Sequence, residues 1–202
     1  MQQDYIYMSG ALTGLSSDDM RYVGELYDKV KSLCKSLGTD AYLPGKSPTT
    51  PSKGIPHHKV WKIDFEKVCG SIAVVAYVGL ASTGVGAEIE MARQAEVPII
   101  LLCEEARQDG VSRLILGNPR VVDIIPFTTL EEMETKLRPM LTHVISEANL
   151  YRAAEEEGWS YTDVIDLKKS SLVAARNRAM PISSSEWKSI KTSNQQKTLL
   201  GS

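Results

Sequence analysis

Cysteines, aromatic residues and an excess of either charge are all scarce in this sequence. Of 202 residues, three are cysteines and 6% are aromatic, and the formal net charge at pH 7 is −2. Three cysteines without metal-like spacing argue against a disulfide scaffold or a zinc site, and they indicate reduced thiols in a cytoplasmic protein. The nearly balanced charge gives no basic field of the kind that binds nucleic acid or membrane surfaces.

A long apolar run is also absent. No stretch is long enough to span a bilayer, and the first residues, MQQDYIYM, lack the charged start and apolar core of a signal peptide. The 43% of hydrophobic residues is enough for one sizeable core. We therefore expect a cytoplasmic protein with one main domain, no metal site, no cofactor, and neither nucleic acid nor a membrane as its partner.

Short apolar segments of strand type alternate with helical patterns along most of the chain. The predicted strands are 5–10, 39–43, 72–78, 97–103 and 121–127, and the predicted helices are 16–38, 58–69, 84–96, 111–116 and 128–148. This alternation predicts an α/β protein with a parallel sheet covered on both faces. Right-handed crossovers favour a flavodoxin-like, doubly wound five-stranded sheet of order 2-1-3-4-5.

The pattern changes after about residue 147. Residues 148–159 and 160–180 predict two further helices, and residues 182–202 are polar and rich in Ser, Lys and Gln. We therefore divide the chain into a main domain, 1–146, and a helical extension with a polar tail, 147–202. The tail is either a solvated end or an interaction arm.

Two glycine-rich segments follow the first and third predicted strands: SGALTG at 9–14 and GLASTGVG at 79–86. In the order 2-1-3-4-5, the carboxyl ends of strands one and three lie at the switch point where such sheets bind ligands. The two loops should therefore face each other across one crevice. Their small residues would let an anion such as phosphate approach backbone N–H groups.

Glu88 lies four residues after Gly84, near the start of a predicted helix. We expect the amino end of this helix to keep the carboxylate ionised. An ionised carboxylate in a crevice can attack an anomeric carbon and form a covalent sugar ester, provided that a second group protonates the leaving group. Asp64, on the helix before strand three, is the candidate for that acid. A tight turn followed by a solvated glutamate is the simpler alternative.

The segments VVAYVGLASTGVGAEIEMA and IYMSGALTG resemble two motifs of the nucleoside 2-deoxyribosyltransferase superfamily. In the first motif, a glycine, any residue, a second glycine and any residue come directly before the nucleophilic glutamate. Within the superfamily, the sequence is most similar to the 2′-deoxynucleoside 5′-phosphate N-glycosidases, which release the base from a deoxynucleoside monophosphate. These enzymes have a serine where the transferases have an aspartate, and that position here is Ser82. The resemblance covers roughly residues 4–142.

The resemblance implies a set of site residues. Glu88 would be the nucleophile, Asp64, 24 residues before it, the general acid, and Tyr7 a tyrosine close to the nucleophile and the sugar. The implied substrate-binding residues are Gly10, Ala11, Gly14, Ser82, Gly84, Gly86 and Ser112. Ser112, 24 residues after Glu88, would come from the neighbouring subunit of a homodimer with shared active sites.

Some positions depart from the family pattern. The serine of the first loop is Ala11 here and its arginine is Thr13, so phosphate contacts from that loop would come from the backbone only. A histidine that the family pattern places near Pro44 is missing. The identity of the base therefore stays open, and so does the choice between ribose and deoxyribose. The expected function is hydrolysis of the N-glycosidic bond of a (deoxy)nucleoside 5′-monophosphate. The alternatives are a base-exchanging deoxyribosyltransferase and a non-catalytic nucleotide sensor.

Overall fold

The computed structural model describes residues 4–44 and 55–158. Its elements, in chain order, are β1 (Tyr5–Ser9), α1 (Ser17–Ser36), β2 (Asp40–Tyr42), α2 (His57–Cys69), β3 (Ala73–Tyr77), α3 (Thr83–Gln94), β4 (Ile99–Glu104), α4 (Arg113–Leu116), β5 (Val121–Phe127) and α5 (Leu130–Glu156). A short 3₁₀ helix, Glu105–Gly110, lies between β4 and α4. The helix predicted at 160–180 lies outside the described residues.

The five strands form one parallel sheet of order β2-β1-β3-β4-β5. The flavodoxin-like α/β fold predicted from the sequence is thereby confirmed. The switch point lies between β1 and β3, which pair directly, with Ser9 opposite Ala76. Pro126 lies in β5, an edge strand, where a missing N–H donor is tolerated.

The sheet separates two apolar clusters. The first contains Ile6 and Met8 of β1 together with side chains of α1 and α5. The second contains Tyr5 and Tyr7 of β1 together with side chains of α2 and α3. Because successive side chains of a strand point to opposite faces, Tyr7 and Ser9 both lie on the α2 and α3 side of the sheet.

Helix α5 is longer than the sequence predicts. We expected one helix to end at 148 and another to begin there, but α5 runs from Leu130 to Glu156 and contains Pro139. Proline removes one helical hydrogen bond, and burial of Leu137 and Leu141 on either side of it holds the helix in place. The chain divides into two units after Asn149, and only 150–158 of the second are described. The boundary predicted at 146 stays a prediction.

Two further findings concern the described ranges. None of the helices in 4–44 and 55–158 combines the length and apolarity needed to cross a bilayer. The same residues contain no group of three or more His, Cys, Asp or Glu side chains arranged to hold a metal ion. Cys34 and Cys103 are buried free thiols, and burial raises the pKa of both.

Candidate active site

Glu88 lies at the switch point, and both of its carboxylate oxygens accept hydrogen bonds. The Tyr7 hydroxyl donates a hydrogen bond of 2.8 Å to Oε1, and the Ser9 hydroxyl donates to Oε2. The two donors stand two residues apart on β1, so the strand presents both to α3 from the same face. The carboxylate is therefore fixed in one orientation at the carboxyl end of the sheet.

Burial determines the charge state of Glu88. It raises the pKa of this carboxyl from 4.5 to about 7, against the lowering effect of the hydrogen bonds from Ser9 and Tyr7. The stabilisation of ionised Glu88 that we expected from the helix amino end is therefore outweighed by burial. Helix α3 begins at Thr83, so Glu88 lies in the second turn, and the effect of a helix dipole fades beyond the first.

Asp64 belongs to the same constellation as Glu88. It lies on α2, which packs against α3, and its charge raises the pKa of both Glu88 and Tyr7. Burial raises the pKa of Asp64 itself. Burial and the nearby carboxylates also raise the pKa of Tyr7, which therefore remains a neutral donor at physiological pH. Two carboxyl groups whose pKa values are both raised thus lie close enough to interact.

The glycines of the two loops serve different purposes. A Cβ on Gly79 would clash with Oε2 of Glu104 and with the Tyr77 side chain, and one on Gly10 would clash with the Tyr27 side chain. These two glycines are required by the protein's own side chains. By contrast, a Cβ on Gly86 would meet nothing within 4 Å, and one on Gly84 only the Ser82 hydroxyl, at 3.6 Å. The free space over α3 lies at Gly84 and Gly86.

Ser82 is the N-cap of α3, and its hydroxyl oxygen accepts a hydrogen bond of 3.4 Å from the Val85 N–H. The hydroxyl proton remains available to a ligand, so capping and binding are compatible roles. The first N–H groups of α3 begin at the same position, which makes this helix end suitable for an anion.

The remaining predicted residues are spread more widely. Ala11 is buried, so the loop after β1 can offer only backbone at this position. Gly14 has a φ of 72°, a conformation that favours glycine. Ser112 precedes α4, beyond β4, where it is exposed and makes no capping hydrogen bond.

Sequence reasoning missed two hydroxyl groups. Ser9 could have been found, because it follows Tyr7 by two residues and must share its face of β1. Tyr27, a buried residue of α1, was not among the predicted site residues. Its hydroxyl is buried against Gly10, within the electrostatic range of Glu88, and has no hydrogen-bond partner in the described part of the chain.

Replacing Tyr7 should move the ionisation of Glu88. Since the tyrosine hydroxyl stabilises the charged carboxylate, Tyr7→Phe should raise the pKa of Glu88 above about 7. Carbon-13 NMR of labelled glutamate would measure this. Tyr5→Phe is the matched control, because Tyr5 donates to the Lys67 carbonyl instead. An unchanged pKa for Glu88 in Tyr7→Phe would mean that this hydrogen bond contributes little.

Solved structures with similar folds include one N-glycosidase. The CMP N-glycosidase BcmB of Clostridium botulinum is 16% identical, with a TM-score of 0.51 over 66% of this chain and 97% of that one. A conserved protein of Enterococcus faecalis is 21% identical, with a TM-score of 0.53 over 68% and 98%. The protein BlsM is 17% identical, with a TM-score of 0.56 over 73% and 94%.

No protein-family model matches this sequence, and no curated protein has a sequence that is significantly similar to it. The similarity therefore concerns the fold alone. The chain therefore shares its α/β fold with these solved structures.

Proposed function

We propose that this chain hydrolyses the N-glycosidic bond of a nucleoside 5′-monophosphate, releasing the free base and a (deoxy)ribose 5-phosphate. The observation that carries the proposal is the Glu88 carboxylate, which Tyr7 and Ser9 hold at the switch point within the electrostatic range of Asp64. The similarity in fold to a CMP N-glycosidase supports the same reaction class.

The first step would form a glycosyl ester. A carboxylate oxygen of Glu88 attacks C1′, the bond from C1′ to the base nitrogen breaks, and its electron pair stays on the base. Asp64 donates a proton to that nitrogen, so the base leaves neutral. Burial raises the pKa of Asp64, which is the direction that this step needs.

The second step would return the enzyme to its starting state. Water attacks C1′ of the ester and loses its proton to the carboxylate of Asp64, and the carboxylate of Glu88 departs. Ionised Glu88 then accepts again from Tyr7 and Ser9, so the same two donors that orient the nucleophile also stabilise it as a leaving group.

The 5′-phosphate would bind at the amino end of α3. Ser82 supplies a hydroxyl proton there, and the neighbouring N–H groups and the open space at Gly84 and Gly86 favour an anion. An aspartate at residue 82 would repel a phosphate, whereas a serine donates a hydrogen bond to it. This difference supports hydrolysis of a monophosphate over base exchange on a nucleoside.

We further propose a homodimer in which Ser112 reaches the site of the neighbouring subunit. Ser112 is exposed, and the adjoining helix α4 exposes 86% of Leu114 and 43% of Leu116. Apolar side chains beside an exposed serine fit a subunit contact. A fully active monomer in light scattering at assay concentration would exclude the shared site.

A panel of nucleotides tests the function. The protein is incubated with nucleoside monophosphates and with the corresponding nucleosides, and free base is measured by chromatography. Monophosphates should release base and nucleosides should be much poorer substrates. If base appears only when an acceptor base is added, the protein is a transferase. If a monophosphate binds without release of base, it is a sensor.

Replacing Ser82 should affect phosphate recognition selectively. Because a hydrogen bond to a charged group contributes about 1.5–3 kcal/mol, Ser82→Ala should lower kcat/KM for a monophosphate about tenfold to a hundredfold. The rate on the nucleoside should change little. Ser16→Ala is the matched control, since Ser16 caps α1 in the same way, through the Asp19 N–H. Equal losses of kcat/KM for the monophosphate and the nucleoside would mean that Ser82 acts only as a helix cap.

A further inference from the structure

Trp61 presents a flat apolar surface on the outside of α2. Its side chain is 58% exposed. One face of the ring is covered by Phe65, one turn later, with ring centroids 5.1 Å apart and planes inclined by 14°. The stack fixes the orientation of the indole while leaving the residue open to solvent. An aromatic ring held in this way loses little conformational freedom when the flat ring of a ligand stacks on it.

The position of Trp61 relates it to the two carboxyl groups. Helix α2 leads into β3, so its amino-terminal end lies at the carboxyl edge of the parallel sheet, where the crevice opens. Trp61 precedes Asp64 by three residues, a spacing that makes two side chains neighbours on a helix surface. It lies about 5 Å nearer the crevice end than Asp64, and Asp64 in turn interacts with Glu88.

Basic residues flank Trp61 in the sequence. The first turn of α2 contains no acidic residue, and Lys59 and Lys62 lie on either side of Trp61 in the sequence. Lys62 forms an exposed ion pair of 3.7 Å with Glu66. Lysine and glutamate are depleted from the cores of protein interfaces, so these flanking charges argue against a second protein chain. They fit a flat heteroaromatic ring attached to a phosphate.

We propose that Trp61 is the stacking platform for the nucleobase of the substrate, with Phe65 as its support. This inference rests on the proposed function. A base stacked on Trp61 would lie beside Asp64, the group that would protonate it as it leaves. Since every nucleobase has a π-face, stacking provides affinity for the base without selecting one base over another. Trp61 is thus assigned to binding and orientation of the base.

Binding measurements test the inference without turnover. In a Glu88→Gln background, calorimetry would compare a nucleoside monophosphate with ribose 5-phosphate, which carries no base. Trp61→Ala should weaken binding of the monophosphate roughly fivefold to a hundredfold and leave ribose 5-phosphate unaffected. Trp61→Phe should retain most of the affinity. Met20→Ala, which removes another exposed apolar side chain, is the control and should change neither ligand.

Four results would overturn the assignment. Equal weakening of both ligands by Trp61→Ala would indicate a general structural effect. Conversion of an oligomer to monomers by that substitution, seen in sedimentation velocity, would make Trp61 an interface residue. Unchanged affinity for the monophosphate would exclude stacking while leaving the proposed hydrolysis intact. If no monophosphate binds even with Trp61 present, the proposed function fails together with this inference.

Discussion

Glu88→Gln is expected to abolish base release and to make the protein more stable above pH 7. Loss of activity follows because an amide cannot form the glycosyl ester. The gain in stability follows because burial raises the pKa of Glu88 from 4.5 to about 7. Above that pH the folded wild type contains an ionised carboxylate that is poorly solvated, which costs stability. Each pKa unit corresponds to about 1.4 kcal/mol, so the gain is on the order of 3 kcal/mol.

The sign of the pH dependence is fixed by the direction of this shift. Below about pH 4.5, Glu88 is protonated in the folded and unfolded states, and the substitution should change stability little. Between about pH 4.5 and 7 the unfolded chain ionises first, so the folded wild type loses stability relative to the variant. Above about pH 7 the difference should be constant. Denaturant unfolding at pH 4, 6 and 8 measures it.

Glu90→Gln is the matched control, two residues along the same helix. Glu90 is exposed, and its hydrogen bonds with Arg93 and Gln94 lower its pKa to about 2. Neutralising it should leave activity unchanged and should not stabilise the protein at pH 8. If Glu88→Gln retains turnover, Glu88 is not the nucleophile. If Glu88→Gln is no more stable than the wild type at pH 8, the Glu88 carboxylate is better solvated in the folded protein than its burial indicates.

Asp64→Asn is expected to lower the rate about a hundredfold to ten-thousandfold on a substrate whose base leaves poorly. The loss should be smaller when the base leaves readily, because such a base needs less protonation as its bond breaks. The substitution also removes a like charge near Glu88, so the pKa of Glu88 should fall below about 7. Rates measured against pH for a series of bases test both effects.

Glu66→Gln is the control for Asp64, since Glu66 lies on the same helix with a side chain that is 61% exposed. It should alter neither the rate nor the pH dependence. An equal loss on all bases in Asp64→Asn would point to a role in holding the sugar instead of protonating the base. A pKa for Glu88 that stays at about 7 would mean that the two carboxyl groups lie too far apart to interact.

Much of the fold could be predicted because each element carries its own pattern. The continuous apolar run of β3 marks a strand buried on both faces, and the spacing of Val23, Leu26 and Val30 marks the inner side of α1. The error at α5 has a tertiary cause. Pro139 and the polar residues after it weaken the local signal, and contacts of Leu137 and Leu141 with the core sustain the helix.

Local patterns and the handedness of crossovers were enough to predict the order of the strands, the two facing loops and the position of Glu88 behind glycines. How Glu88 is held and charged depends on tertiary contacts. Ser9 and Tyr7 are 79 and 81 residues away along the chain, and the burial that raises the pKa of Glu88 comes from separate elements packed around it. Desolvation depends on everything that surrounds a group, and a local pattern contains only the neighbours along the chain.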